Sequence, residues 1–146
     1  MKHLALICPE LSGHLNPMTT LGAELARRGH TVTLVGKPDG RAKAQAAGLG
    51  FCPIGADTFP EGSIAEISAE LGLRHGLNAL DFTVRHFKRS ARVILRDLPE
   101  VIQREKIDGM LVDQTTSSAG SVAEAAGIPT ITVKMNTAAK PRRTAP

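Results

Sequence analysis

The period of the hydrophobic positions changes repeatedly along the first fifty residues. Residues 3–8 form a short apolar run, HLALIC, which is typical of a buried strand. The next segment repeats apolar residues at the period of a helix, and the run 30–36 is rich in β-branched residues. The apolar face of that helix holds Met18, Leu21, Leu25 and Ala26. This order predicts a βαβ unit with parallel strands and a right-handed crossover.

The rest of the chain continues the alternation of strands and helices. Apolar residues from Leu77 to Val101 recur at spacings of three and four, which predicts one long amphipathic helix. The other predicted elements are strands at 49–55, 108–114 and 128–133 and helices at 39–48, 64–73 and 116–127. Together they predict an open parallel α/β sheet of Rossmann-like type, with five strands in the order 3-2-1-4-5 and helices on both faces.

The boundaries of the first helix and of the domain also follow from local residue types. Asn16 is predicted as the N-cap of the first helix, with Pro17 at its first helical position. Residues 1–133 are expected to form the domain, and residues 134–146 a basic, flexible tail.

Charge distinguishes the body of the chain from its end. The formal net charge is +4, and the segment KMNTAAKPRRTAP at the end holds four basic residues and no acid. The remaining fourteen basic and fourteen acidic residues balance, so we expect no nucleic-acid partner. Cys8 and Cys52 each end a predicted strand, and one strand lies between them, which makes a disulfide too long. We therefore expect free thiols and a cytoplasmic location.

Two predicted loops carry the residues with the most chemistry. They follow the first and fourth strands and meet where the strand order reverses, which is where ligands bind in such sheets. Adjacent strands lie about 4.8 Å apart, so an imidazole on one loop can hydrogen-bond to a carboxylate on the other. The loops contain Ser12, Gly13, His14 and Asn16, and Asp113, Gln114, Thr115 and Thr116.

His14 and Asp113 are therefore a candidate catalytic pair. The carboxylate would keep one ring nitrogen protonated, so that the other nitrogen could remove a proton from an incoming hydroxyl. Alternatively, His14 merely fills the turn and Asp113 caps the helix that begins near Thr115. The first loop lacks the glycine spacing of dinucleotide sites, and the histidines lack metal-ligand spacing. We expect neither a cofactor nor a metal.

Two segments resemble the N-terminal domain of family 1 glycosyltransferases of the GT-B fold, especially bacterial macrolide-type and carotenoid glucosyltransferases. In the first, SGHLNPMTTLGAELARRGHTVTLVG, a GHxxP loop is followed by a helix, RGH and a strand. In the second, DGMLVDQTTSSAGSVAEAAGIPTITV, an acid at a strand end precedes a small-residue helix and a G-[IL]-P strand. The resemblance covers residues 1–37 and 106–133.

This resemblance implies that His14 is the general base on an acceptor hydroxyl and that Asp113 orients it. The hydroxyl would displace the nucleotide of a UDP-sugar, its co-substrate, with inversion. A small lipophilic acceptor is expected to contact Ser12, Gly13, Asn16, Gln114 and Thr115. The family's C-terminal donor-binding domain and the last strands of the first domain are absent from this sequence, so a separate or missing domain would hold the nucleotide sugar. The isolated chain is expected to be inactive or weakly active.

Other functions stay open on the residues alone. A non-catalytic domain could bind a small apolar ligand or a protein in the same cleft, and a nucleotide-binding regulator could hold one phosphate at the first loop. The long helix has a basic face, which is either a solvated surface or a contact for an anionic membrane or an acidic partner. An exposed apolar sheet edge would favour self-association.

Overall fold

Five parallel strands form one sheet in the computed structural model, which describes residues 1–135. The strand order β3-β2-β1-β4-β5 confirms the predicted order. The strands are β1 (His3–Ile7), β2 (Thr31–Gly36), β3 (Gly50–Pro53), β4 (Gly109–Asp113) and β5 (Thr130–Val133). Most of the predicted tail, 134–146, lies outside the described residues.

Helices cover both faces of the sheet, as predicted. They are α1 (Ser12–Arg27), α2 (Arg41–Ala46), α3 (Ser63–Gly72), α4 (Gly76–Arg104) and α5 (Ser117–Ala125). Successive residues of β1 point to opposite faces, so Ala5 and Ile7 pack with α4 and α5 while Leu6 packs with α1 and α2. Burial on both faces explains why the parallel strands are continuous apolar runs in the sequence.

Helix α1 begins earlier than its sequence suggests, and the prediction of Asn16 as N-cap is wrong. The extended residue before the helix is Leu11, whose carbonyl accepts hydrogen bonds from the backbone nitrogens of His14 (2.9 Å) and Leu15 (2.8 Å). Pro17 lies inside the helix. The physical reason is burial: Leu15 and Met18 are both buried on one face, so the helix must already have formed before Pro17. His14 consequently lies in the first helical turn and not in a loop.

Helix α4 is amphipathic throughout but buries its apolar stripe only in its second half. Val93, Leu98 and Val101 are buried, whereas Leu77 is 83% exposed and Leu80 is 60% exposed. The periodicity correctly predicted the helix but not which part of it packs against the sheet. Within residues 1–135 no helix is long and apolar enough to cross a bilayer.

Cys8 and Cys52 are both buried and free, as expected. Strand β5 forms one edge of the sheet, and its Ile131 is 64% exposed. Self-association through this edge stays a prediction.

Gly55 lies two residues after β3, contacts α4 and has a backbone conformation that favours glycine. Its φ is +65°, and its backbone nitrogen donates a 2.8 Å hydrogen bond to Asp97 of α4. A Cβ at this position would overlap the side chain of Val93. The position therefore combines a left-handed backbone with a close approach between the β3 loop and α4.

We predict that Gly55→Ala lowers the free energy of unfolding by about 2–4 kcal/mol, because backbone strain adds to overpacking. Gly48→Ala is the matched control, since Gly48 also has a positive φ (+71°) but open space around its Cβ position. This control should cost only about 1–2 kcal/mol. Urea denaturation measures both changes. Equal losses for the two variants would show that the contact with Val93 contributes nothing.

Candidate active site

His14 and Asp113 form a direct hydrogen bond although 99 residues separate them in the sequence. The ring nitrogen Nδ1 lies 2.7 Å from Oδ2 of the carboxylate. Parallel pairing of β1 with β4 places Ile7 beside Val112, so the segments that follow the two strands start at the same edge of the sheet. The structure therefore brings the two predicted residues together, and their catalytic role stays a prediction.

The Asp113 carboxylate is fully buried and uses both oxygens. Oδ1 accepts hydrogen bonds from the backbone nitrogen of Thr115 (2.8 Å) and from its hydroxyl (2.6 Å), while Oδ2 faces His14. Burial raises the pKa of Asp113, but the hydrogen bonds from His14 and Thr115 outweigh it and hold this pKa below its usual range. Asp113 thus caps the turn Gln114–Thr116 after β4 and also accepts a hydrogen bond from His14. The capping role is confirmed, and the catalytic alternative stays a prediction.

An ionised Asp113 fixes the proton on the imidazole. A carboxylate can only accept, so Nδ1 of His14 must donate and Nε2 is left with its lone pair. Nε2 has no hydrogen-bond partner among residues 1–135, and the His14 side chain is 25% exposed.

The exposed part of His14 lines a cavity of about 270 Å³, here named the outer chamber. Its apolar walls come from Leu11, Ile64, Ile67, Leu71, Phe82 and Phe87. An adjoining cavity of about 180 Å³, here named the inner chamber, lies over the ends of β1 and β2 and against α4. The chambers share Pro9, Glu10, Lys37, His86, Phe87 and Thr115.

Most of the residues that were predicted to contact the acceptor lie outside the two chambers. Ser12, Gly13 and Asn16 are exposed on the first turns of α1, and Gln114 is exposed after β4. None of these four lines either chamber. Thr115 lines both, but its backbone nitrogen and its hydroxyl are engaged with Asp113. Acceptor binding by these five residues stays a prediction.

A buried ion pair between the chambers was missed by the sequence analysis. Lys37 Nζ lies 3.1 Å from Glu10 Oε2, and the two side chains are only 10% and 5% exposed. Glu10 Oε1 also accepts a 2.8 Å hydrogen bond from the Lys37 backbone nitrogen, and Nζ lies 4.5 Å from the centre of the Phe59 ring. The sequence did contain a signal for this ion pair. Glu10 follows β1 and Lys37 follows β2, and both strands end at the ligand-binding edge of the sheet.

No metal centre accompanies these groups in the described part of the chain. Residues 1–135 contain no cluster of three or more His, Cys, Asp or Glu side chains that could hold an ion. The polar side chains that line the chambers are instead the imidazoles of His14 and His86, the Glu10–Lys37 ion pair and several Ser and Thr hydroxyls, and the buried Asp113 carboxylate contacts His14. This set is suited to moving a proton and to hydrogen bonding.

The sheet order and the arrangement of helices define the fold as Rossmann-like, which is the fold of GT-B N-terminal domains. The family model described as the glycosyltransferase family 28 N-terminal domain matches residues 12–140. The chain therefore belongs to this family. The resemblance found in the sequence is confirmed at the level of the GT-B N-terminal domain.

The relatives found by sequence are glucosyltransferases. The zeaxanthin glucosyltransferase of Pantoea ananas is 30% identical over 133 residues, which are 91% of this chain and 31% of the relative. The zeaxanthin glucosyltransferase of Pseudescherichia vulneris is 28% identical over 134 residues, again 91% of this chain and 31% of the relative. The chain thus spans about a third of the length of these relatives.

Solved glycosyltransferases share the fold. The glycosyltransferase of kitacinnamycin is 25% identical with a TM-score of 0.67, over 92% of this chain and 30% of that protein. A glycosyltransferase from Streptomyces sp. SF2575, solved with thymidine diphosphate, is 22% identical with a TM-score of 0.70. That match covers 92% of this chain and 38% of the other protein.

We predict that Asp113→Asn lowers the free energy of unfolding at pH 7 by about 1–3 kcal/mol, because hydrogen bonds to a charged group are lost. Since the pKa of Asp113 is lowered in the folded state, its contribution is complete above the unfolded value of about 3.9. It is lost as the pH falls through the folded pKa. The difference between wild type and variant should therefore shrink below about pH 4.

Urea denaturation between pH 3 and pH 7 measures this difference. Asp81→Asn is the control, because Asp81 lies in an exposed i,i+4 pair with Arg85 that is worth at most about 0.5 kcal/mol. A difference for Asp113→Asn that stays constant down to pH 3 would contradict the assignment of a stabilised carboxylate.

Proposed function

We propose that this chain is the acceptor-binding part of an inverting nucleotide-sugar glycosyltransferase, with His14 as general base and Asp113 as its orienting partner. The observation that carries the proposal is the 2.7 Å contact between His14 Nδ1 and the buried Asp113 carboxylate. With Nδ1 engaged, Nε2 would be the proton acceptor, and this is supported by the position of His14 in the lining of the outer chamber. Membership of the glycosyltransferase family supplies the reaction class.

The proposed reaction is a single displacement. Nε2 of His14 removes the proton of an acceptor hydroxyl while the acceptor oxygen forms a bond to the anomeric carbon of the sugar. The bond from that carbon to the phosphate oxygen breaks, and the nucleoside diphosphate leaves with the electron pair. Attack opposite the leaving group inverts the anomeric configuration. The Asp113 carboxylate stabilises the imidazolium and stays ionised throughout.

The outer chamber favours a lipophilic alcohol as acceptor. Six leucine, isoleucine and phenylalanine side chains line it beside a smaller set of polar groups, and among these His14 is the proposed base for the reacting hydroxyl. Apolar pockets with few polar groups are the usual form of small-molecule sites. The two zeaxanthin glucosyltransferases point in the same direction, since zeaxanthin is a lipophilic alcohol.

The donor in this proposal is a nucleotide sugar, UDP-linked, held mainly by a second domain. The chain corresponds to about 31% of the length of its curated relatives, which leaves room for such a domain in them. One structural neighbour was solved with thymidine diphosphate, so a thymidine-linked sugar is the natural comparison in an assay. The proposed mechanism uses no cofactor and no metal ion. A cytoplasmic location and a membrane contact through the basic face of α4 stay predictions.

We predict that His14→Ala reduces kcat by about 10²–10⁴, the usual contribution of a positioned general base. The assay uses a chimera in which residues 1–133 replace the matching segment of the Pantoea ananas zeaxanthin glucosyltransferase. UDP-glucose and TDP-glucose serve as donors and 1-octanol as acceptor. Transfer is measured as octyl glucoside formed per enzyme per unit time.

His75→Ala is the matched control, because His75 is an exposed histidine before α4 and lines neither chamber. It should leave kcat unchanged. Transfer by the His14→Ala chimera at the wild-type rate would contradict the assignment of the base and favour a non-catalytic binding domain. Transfer by the isolated 146-residue chain would contradict the requirement for a second domain.

A further inference from the structure

Helix α3 forms one wall of the outer chamber but has little support of its own. Ile64, Ile67 and Leu71 contribute its apolar side chains to the lining. Of the ten residues of α3 only Ser63 is buried, and Ile67 packs against the core from a half-buried position. Helices of this length are marginal in water unless packing or capping stabilises them. The position of this wall therefore depends on the few contacts that α3 makes with the rest of the chain.

The N-terminus of α3 is capped by a carboxylate from another part of the chain. The N-cap residue is Gly62, which has no side chain that could accept a hydrogen bond. Instead, Oδ1 of Asp39 accepts a hydrogen bond from the backbone nitrogen of Gly62 (2.5 Å), and Oδ2 accepts one from that of Ile64 (2.8 Å). A negative charge at this end also interacts favourably with the helix dipole. Asp39 thus satisfies two backbone donors that α3 cannot satisfy itself.

The segment that carries Asp39 is also tied to the first loop of the site. Asp39 lies in a single 3₁₀ turn, Pro38–Gly40, which follows β2. Two residues earlier, Lys37 donates to the Glu10 carboxylate through its backbone nitrogen (2.8 Å) and through its ammonium group (3.1 Å). Glu10, Lys37 and His14 all line the outer chamber. The segment after β2 is therefore joined to the residues before α1 by Lys37 and to α3 by Asp39.

Ile64 is the residue through which this cap reaches the chamber. Its backbone nitrogen donates to Asp39, and its side chain lines the outer chamber. Ile67 and Leu71 follow at spacings of three and four residues, so they lie on the same face of α3. If the first turn of α3 loses its cap, the apolar side chains on this face lose their fixed position. The capping of the helix and the shape of the chamber are therefore linked.

We propose that Asp39 is a positioning residue for the outer chamber, because its carboxylate fixes the place of α3 and thereby the apolar wall that contacts the aliphatic part of the acceptor. Asp39 itself lines neither chamber. Its effect is on the preference for longer acceptors and not on the transfer of the proton. This inference rests on the proposed function, because it takes the occupant of the outer chamber to be the acceptor.

Nuclear magnetic resonance on the 146-residue chain tests the first step, the capping of α3. Asp39→Ala removes both hydrogen bonds, whereas Asp39→Asn keeps one side-chain oxygen as an acceptor. We expect the amide exchange rates of residues 66–71 to rise about three- to thirtyfold in Asp39→Ala, the usual value of a helix cap, and to rise less in Asp39→Asn. Glu61→Ala is the matched control, since Glu61 is an exposed acid next to Gly62 and lines neither chamber.

The second step, the effect on the chamber, is measured by titrating the same samples with 1-hexanol and 1-octanol. A fully buried methylene group improves Kd about fourfold, so the wild type should prefer 1-octanol by up to about fifteenfold. We expect this preference to fall about fourfold in Asp39→Ala, the value of one methylene contact, and to fall less in Asp39→Asn. Glu61→Ala should leave it unchanged. A loss of folded protein scales both Kd values equally, so it does not alter their ratio.

Three results would overturn the positioning role. They are α3 exchange rates that Asp39→Ala does not change, a ratio of Kd values that stays at the wild-type value although these rates rise, and failure of 1-octanol to bind the wild type. The second result would make Asp39 a stabilising cap without influence on the chamber.

Neither measurement uses a donor or catalysis, so the two proposals can fail separately. A ratio that falls while His14→Ala transfers sugar at the wild-type rate retains the role of Asp39 in shaping the chamber and refutes the proposed base. An unchanged ratio together with loss of transfer in His14→Ala refutes the positioning role alone.

Discussion

The buried carboxylate of Asp113 is the constraint on which the site depends. A charge without solvent requires hydrogen-bond partners, and Asp113 obtains them from His14 and from two groups of Thr115. These contacts fix the turn after β4 relative to the start of α1. The pairing of β1 with β4 brings the carboxylate and the imidazole together, so the sheet order determines the geometry of the His14–Asp113 pair.

Much of this arrangement could be predicted because it depends on periodicity and on strand order. The apolar runs defined five parallel strands, and the reversal of their order placed His14 near Asp113. The start of α1 could not be predicted from Asn16 and Pro17, because burial of Leu15 overrides the local capping preference. The local preference for a capping residue contributes less free energy than the burial of an apolar side chain in the core.

The inner chamber could not be predicted from the sequence, for a different reason. His86 and Ser90 belong to a long helix whose pattern indicates only which face is apolar, and nothing local shows that its first half is left partly uncovered. The ends of β1 and β2 bring Glu10 and Lys37 to the same chamber. A cluster of polar side chains that comes from three distant segments can be recognised only when the packing is known.

The central claim is that His14 Nε2 removes the acceptor proton, and acceptors of different acidity test it most directly. A chimera carrying residues 1–133 transfers glucose either to 1-octanol, which needs a base, or to 4-nitrophenol, which ionises without one. For His14→Ala, the account predicts a loss in kcat/KM of about 10²-fold or more with 1-octanol and a loss below about tenfold with 4-nitrophenol. Equal losses with both acceptors would contradict it, because His14 would then position the substrate without taking its proton.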